Sequence, residues 1–291
     1  MADFLSQAMA RSAERARALP DSHATARNPG ALRRALEAGP VLIAEVKRAS
    51  PSKGPIRPGA DAAAQARAYA AGGAGAVSVL TEPDWFKGSL DDLCAVRAAV
   101  DLPVLRKDFI GHPRQIAEAA EAGADAVLLI VAALDDAALR TLLAEATARG
   151  LDALVEVHDA PELDRAAEAG AHIIGVNNRN LGSLAVGDAA AELASAAPPG
   201  CLLIAESGIR TPQDIRRYAD LGYRGFLVGE TLMRADDPEA VTRALVTAVG
   251  VQGLTSQPVR AEPVEAHSFS SQKEICPSTS SGRTGEEAAR P

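Results

Sequence analysis

Eight short apolar runs, evenly spaced and separated by Ala-rich amphipathic stretches, constrain this chain more than any other feature. The runs occupy 41–46, 76–80, 103–106, 126–131, 153–157, 173–176, 202–205 and 225–228. Each is rich in β-branched residues or Leu and is bounded by Gly, Pro or charge, the pattern of a buried strand. The intervals 61–71, 90–99, 113–122, 137–149, 160–169, 189–197 and 211–221 have helix-forming composition. Several close on a glycine before the next run, at Gly123, Gly170 and Gly222. There a left-handed helix stop is needed that other residues resist.

Such alternation fits either a closed (β/α)8 barrel or an open doubly wound sheet. The polar residues separate the two. Glu45 and Lys47, Lys107, Glu156, Asn177 and Arg179, Glu206 to Gly208, and Gly229 with Glu230 all stand at the ends of apolar runs. A barrel gathers chemistry from the C-terminal ends of many strands, whereas an open sheet places its ligand at one switch point, often behind a glycine fingerprint. Neither GxGxxG nor GxxxxGK[ST] occurs. The expected fold is therefore α/β, a single TIM barrel over 41–250. The 1–40 segment is expected to be a helical extension, with Leu5, Met9, Leu32 and Leu36 as contacts, that closes the barrel's bottom or helps line its top. The 251–291 segment, rich in Ser, Thr, Pro and Glu without period, reads as a low-complexity disordered tail or a linker to a further domain. A barrel takes roughly 250 residues, which suits a 291-residue chain.

The formal charge of −8 argues against a nucleic-acid or anionic-membrane surface while leaving room for a local basic pocket. The longest apolar run, 126–134, is well short of the ~20 residues of a membrane span, and the first residues lack a signal-peptide pattern. A cytoplasmic protein with no nucleic-acid, membrane or obligate protein partner is expected. The five histidines, His23, His112, His158, His172 and His267, have no metal-ligand spacing, and the three cysteines form no CxxC pair. No metal site is expected. His158 reads as a solvated loop residue.

Glu45 and Lys47, two apart in a strand, share a face with Ile43. In a barrel that face is the interior, where the pair is either structural or catalytic. Lys107 two after Leu105, and Glu156 two after Leu154, reach the same mouth, although each on its own would merely terminate a strand. With Asn177 and Glu206 they bring two lysines and several carboxylates together, an arrangement costly without a task. Lysine there serves as acid or Schiff-base former, and glutamate as base. Ser207-Gly208 and Gly229-Glu230 follow the last two runs, where many barrels hold phosphate on main-chain N–H groups. The loop 50–56, with Ser50 and the basic Lys53, reads as mobile and able to close over an anion, or as a surface turn. Trp85 and Phe86 offer a stacking surface or ordinary loop packing.

Seven blocks, in order, resemble one family. They are 43–52 (IAEVKRASPS), 78–82 with 86–89 (SVLTE, FKGS), 105–110 (LRKDFI), 154–158 (LVEVH), 175–181 (GVNNRNL), 205–209 (AESGI) and 226–230 (FLVGE). Over about 42–233 the chain is similar to the indole-3-glycerol-phosphate synthase family of tryptophan biosynthesis. The resemblance implies a lyase that closes the ring of 1-(2-carboxyphenylamino)-1-deoxyribulose 5-phosphate with loss of carbon dioxide and water, without cofactor or metal. It implies Lys107 as general acid at the ketose carbonyl. Glu156 stabilises the cationic intermediate and acts as general base, and Glu45 and Lys47 serve the later proton transfers. Asn177 and Arg179 would orient the anthranilate carboxylate, with Glu206 and Ser207 completing the hydrogen-bond frame. Ser50 would contact substrate, Phe86, Phe109 and Leu181 would sandwich the ring, and Lys53, Gly208, Gly229 and Glu230 would hold phosphate. The segment before Val41 carries no obvious family pattern, and the stretch after Gly250 is not expected to form the second barrel of fused versions. The strongest rival, a barrel like phosphoribosylanthranilate isomerase, needs no paired lysines with an Asn-x-Arg. A non-catalytic metabolite-binding barrel would not need the full set of ionisable strand ends.

Overall fold

The computed structural model describes residues 4–180 and 182–248; the expected ring contact Leu181 and the 251–291 tail lie outside the described residues. Eight parallel strands close into a barrel: β1 (Val41–Val46), β2 (Ala76–Leu80), β3 (Val104–Lys107), β4 (Ala126–Ile130), β5 (Asp152–Val157), β6 (Ile173–Asn177), β7 (Leu202–Glu206) and β8 (Gly225–Val228). Each strand pairs with its sequence neighbours, and β8 returns to β1 through the register Ala44↔Val228. Strand alternation divides the core into two layers. Ile43, Leu105, Leu128, Leu154, Ile204 and Leu227 fill the barrel, whereas Val77, Val127, Val155, Ile174 and Phe226 pack outward against the helices.

Around the barrel run α3 (Ala62–Ala71), α4 (Leu90–Ala99), α5 (Pro113–Glu121), α6 (Asp136–Ala148), α7 (Ala160–Glu168), α8 (Ala189–Leu193), α9 (Pro212–Asp220), α10 (Glu230–Met233) and α11 (Pro238–Thr247). Most starts are capped by a short polar side chain. Ser89, Asp135, Asp159 and Thr211 each accept from a backbone N–H in the first turn, worth about 1 kcal/mol apiece. The stops follow the glycines, with φ of 86° at Gly123, 85° at Gly170 and 93° at Gly222. The helix expected over 189–197 ends at Leu193 and continues as a 3-10 turn, Ala194–Ala196. Two prolines follow, and the residue before the first, Ala197, is driven to extended backbone (φ −64°, ψ 138°).

The N-terminal segment takes both of the places expected of it. The first helix, α1 (Phe4–Arg17), lies over the top: Ser12 donates to the carbonyl of Phe109, and Gln115 donates to Ser12 at 2.8 Å. Residues 18–30 are not helical. They descend along the outside, where Arg149 holds the carbonyls of Ala24 and Ser22 at 2.8 and 2.9 Å. The second helix, α2 (Ala31–Ala38), then plugs the bottom with Leu32 and Leu36, which join the inner core. Both ends of the barrel are thus shaped by the first forty residues, and the C-terminal strand ends stay open to a cavity.

Candidate active site

The parity that buries Leu105 and Leu154 inside the barrel lifts the next inward residues, Lys107 and Glu156, to the mouth. Register sets their level: Asn177 lies opposite Glu206, and Ile130 opposite Glu156. Lys107 Nζ sits 3.3 Å from Glu156 Oε2 and contacts Glu206 Oε2. Lys47, one residue beyond β1, turns back to place Nζ 2.5 Å from Glu45 Oε1. Two glycines make space for these carboxylates. A Cβ at Gly175 would lie 2.1 Å from Glu206 Oε1, and one at Gly229 would lie 2.3 Å from Glu45 Oε1.

Burial alone would strip the proton from Lys107, but the carboxylates of Glu206, Glu156 and Glu45 outweigh it and raise its pKa above the ordinary lysine value. Burial likewise pushes carboxyl groups up, and for Glu206 it prevails: its pKa rises to about 7, with Glu156 adding repulsion against the attraction of Lys107. For Glu156 the opposing charges prevail. Lys107 and then His158, with a hydrogen bond from Asn177, hold it below the usual carboxylate range. One buried carboxyl is thus kept ionised beside a charged lysine, while its neighbour sits near its protonation point at neutral pH, a division of labour suited to acid–base chemistry.

The mouth opens into a cavity of about 570 Å3, the size of a small-molecule site. One wall, above β2 and β3, is aromatic: Phe86 and Phe109 have centroids 6.3 Å apart, and Phe4 meets Phe109 edge-on at 5.8 Å. The rest of the lining, above β7, β8 and the loop after β1, carries Lys53, Arg210 and Arg234. Ser207 and Gly208 leave β7 with consecutive left-handed φ of 63° and 83°. Asn178 braces that turn, donating to the Ser207 carbonyl at 3.1 Å. A non-glycine residue at positive φ is uncommon, and Ser207 holds that conformation beside the cavity. Among the described residues, no group of three or more His, Cys, Asp or Glu side chains is disposed to hold a metal ion.

Residues 6–245 match the family model described as indole-3-glycerol phosphate synthase. The chain belongs to the indole-3-glycerol phosphate synthase family. Curated relatives of that name include one from Azospirillum brasilense, 54% identical over 218 residues, covering 74% of this chain and 83% of the relative. Another from Mycolicibacterium gilvum is 51% identical over 249 residues, covering 85% and 88%. Among solved structures, 3-hexulose-6-phosphate synthase from Salmonella typhimurium superposes with a TM-score of 0.59 at 16% identity, over 72% of this chain and 99% of the other. Thiamine phosphate pyrophosphorylase from Pyrococcus furiosus gives 0.57 at 18%, over 76% and 98%. Those two likenesses concern the barrel alone. As an indole-3-glycerol phosphate synthase, the chain is a carboxy-lyase of tryptophan biosynthesis.

Every synthase site residue singled out in the sequence, other than Leu181, lines this one cavity. The loop after β1 is tied at its base by a two-residue antiparallel ladder, Ala49–Ser50 with Gly54–Pro55. Arg48 fixes it further by a fork on Asp92 and by the carbonyl of Ala60 at 2.9 Å. His158 departs from expectation. It is not a solvated loop residue: Nδ1 lies 2.9 Å from Glu162 Oε2 and Nε2 lies 3.4 Å from Glu156 Oε1. Trp85 packs α1 onto the loop after β2, edge-on to Phe4 at 5.3 Å and beneath the Arg11 guanidinium.

Three contributors escaped the sequence reading. Phe4 comes from a segment with no motif, and only the folded path of α1 brings it to the mouth. Glu82 lies inside a quoted block, yet its task shows only in three dimensions: its carboxylate accepts from the N–H groups of Asp84, Trp85 and Phe86 at 2.9, 2.7 and 3.1 Å and so shapes the Phe86 loop. Arg210 follows the Ser207-Gly208 turn by two residues and lines the same cavity.

Proposed function

We propose that the cavity binds 1-(2-carboxyphenylamino)-1-deoxyribulose 5-phosphate with its aromatic ring against Phe4, Phe86 and Phe109 and its phosphate toward Lys53, Arg210 and Arg234, and converts it to indole-3-glycerol phosphate. The observation that carries this reading is that one cavity brings Lys107 and Glu156 together with the aromatic rings of Phe4, Phe86 and Phe109 and the cations of Lys53, Arg210 and Arg234. A ligand that is aryl at one end and phosphate at the other would present its ketose carbonyl to Lys107. The main-chain N–H groups of Gly208, Gly229 and Glu230 complete the phosphate contacts.

Three bonds change. The ring carbon bearing the carboxylate attacks the ketose carbonyl carbon, and Lys107 donates a proton to its oxygen as the C–C bond forms. The ring becomes cationic, and Glu156, still ionised, faces that charge. Asn177 and Arg179 hold the carboxylate out of the ring plane, so the C–CO2 bond breaks and its electron pair returns to the ring. The new hydroxyl then leaves as water after protonation from the Glu45–Lys47 pair, and Glu156 removes the proton whose loss completes the indole. Glu206 and Ser207 frame these groups, and Ser50 contacts substrate. None of these steps draws on a cofactor.

The catalytic unit is proposed to be the barrel of 41–250 together with the helical extension of 1–40, with 251–291 an appendage dispensable for turnover. Among the described residues no helix is long and apolar enough to cross a membrane, and a cytoplasmic setting is part of this proposal. Purified protein incubated with the carboxyphenylamino-deoxyribulose phosphate is expected to develop indole fluorescence, with chelator present. No product at high enzyme concentration would overturn the assignment of substrate and reaction.

A further inference from the structure

We propose that His158, held from outside by Glu162, is a positioning residue that fixes Glu156 as an oriented carboxylate facing the substrate. The inference rests on the reading of Glu156 as the base. β5 ends at Val157 and α7 begins at Ala160, so His158 sits in the tight corner between a strand carrying Glu156 inward and a helix carrying Glu162 back over it. Glu162 Oε2 accepts both from the His158 main-chain N–H at 2.8 Å and from Nδ1 at 2.9 Å. Asp159 caps the same helix by accepting from the Glu162 N–H at 2.9 Å, which fixes that carboxylate in turn.

With Nδ1 committed to Glu162, Nε2 faces Glu156 Oε1 at 3.4 Å, an ion-pair contact that is not aligned as a hydrogen bond. The other oxygen of Glu156 lies 3.3 Å from Lys107 Nζ. Glu156 is therefore stretched between two cations on opposite sides, one on the site and one behind it. The remaining groups around it are Asn177, Glu206 and, farther off, Glu45. Glu206 competes for Lys107, so without His158 that shared lysine and the Asn177 amide would have to keep Glu156 ionised and pointed. Burial disfavours the imidazolium, but the two flanking carboxylates raise the His158 pKa to about 10. The ring is then a permanent cation at neutral pH, unlike an ordinary histidine near 6.5.

The decisive experiment compares kcat and KM against pH, from about 5 to about 9, for the wild type, H158Q, E162Q and E156Q, alongside a nitrogen-15 titration of the His158 ring. H158Q is expected to lose about tenfold in kcat with KM within about twofold, and to bring into this pH range, from its acid end, a Glu156 limb that the wild type keeps below it. E162Q is expected to bring the alkaline fall of kcat to lower pH, because its imidazole releases its proton sooner. The wild-type ring nitrogens are expected to stay doubly protonated through about pH 8. A wild-type pH profile in H158Q and E162Q, a loss of kcat in H158Q with the acid limb unmoved, or an imidazole titrating near 6.5 would overturn the assignment. If H158Q does not fold, E162Q and the ring titration decide. An active E156Q would instead sink the reading of Glu156 as base, a separate failure.

Discussion

Arg106 and Lys107 are neighbours on β3, and strand alternation sends them to opposite sides of the barrel wall. Arg106 points outward beneath α5, where every donor finds a fixed partner. Its Nε donates to Thr81 Oγ1 at 3.2 Å, Nη1 to the Gln115 carbonyl at 2.9 Å and Nη2 to Asp108 Oδ2 at 3.2 Å, while Glu118 lies 2.8 Å from Nη1. Asp108 is also saturated, accepting from Thr81 Oγ1 at 2.7 Å and the Phe109 N–H at 2.8 Å. Lys107 points inward and is shared by more carboxylate than it can satisfy. Oε1 of Glu206 is buried with no hydrogen-bond donor, and Oε1 of Glu45, though close to Lys47, has no aligned hydrogen bond. A buried network built for stability closes its own polar groups. The inner one leaves carboxylate oxygens of Glu45 and Glu206 without a hydrogen bond at the edge of the cavity.

Replacing each cation with an isosteric apolar side chain breaks the comparison most directly. Lys107→Met is expected to lower kcat by at least ~10², the loss of a general acid, with a smaller cost in stability, because the freed carboxylates border an open cavity and can take up protons. Arg106→Met is expected to do the reverse. It strands Asp108 and Glu118 behind α5, a cost of about 3–5 kcal/mol for an uncompensated buried partner, read as a fall in urea midpoint. Its folded fraction should turn over at near the wild-type rate. Equal losses of stability in the two variants would show that both networks are structural.

The outer network was invisible in the sequence, although Arg106 and Asp108 flank Lys107 in the same short block. Nothing in a linear reading says that Arg106 will meet Gln115 and Glu118 nine and twelve positions later, because that depends on how α5 docks. The inner network was legible for a simple reason. Polar residues at the C-terminal ends of apolar runs that keep step with the inward-facing residues turn to the mouth once the sheet closes, so Glu45, Lys107, Glu156, Asn177 and Glu206 converge by parity, whereas Arg106, out of step, turns outward. The eight strands were legible on the same ground, within a residue or two at their ends. Phe4 was not, since its path over the barrel top is set by Ser12, Arg15 and Gln115 acting together. The short α10 and the final α11 also escaped, the first for its length and the second because 238–247 follows the last strand and so completes no strand–helix repeat.

A finer probe is the acidity of Glu206. Its folded pKa of about 7 lies above that of an unfolded glutamate, so between about pH 4.5 and 7 the native chain holds a proton that the unfolded chain has released. Stability from this group is therefore greatest below that window and falls as pH rises through it. Glu156 acts oppositely, with a lowered pKa whose stabilisation is lost only at acid pH. In Glu206→Gln the decline between about pH 5 and 7.5 is expected to flatten by about 1–3 kcal/mol, measured by urea titration at several pH values. An unchanged slope would mean that Glu206 is ionised throughout, and the inner network would then resemble the outer one.

The smallest expected effect comes from Arg15, where the outer network meets the loop after β2. It reaches from α1 to Asp108 Oδ1 at 3.3 Å and to Glu82 at 3.9 Å, and its side chain is one-third exposed. A half-solvated pair of this kind contributes about 0–1 kcal/mol, so Arg15→Ala should barely move the melting temperature. Its other consequence is geometric. Asp108 anchors the outer network, Glu82 shapes the Phe86 loop, and α1 carries Phe4 to the aromatic wall, so one guanidinium sets where three elements meet. Loosening it is expected to raise KM by about twofold to fivefold, equivalent to under ~1 kcal/mol, with kcat little changed, since neither Lys107 nor Glu156 moves. A fall in kcat at constant KM would place Arg15 in the inner network, and the division drawn across β3 would no longer hold.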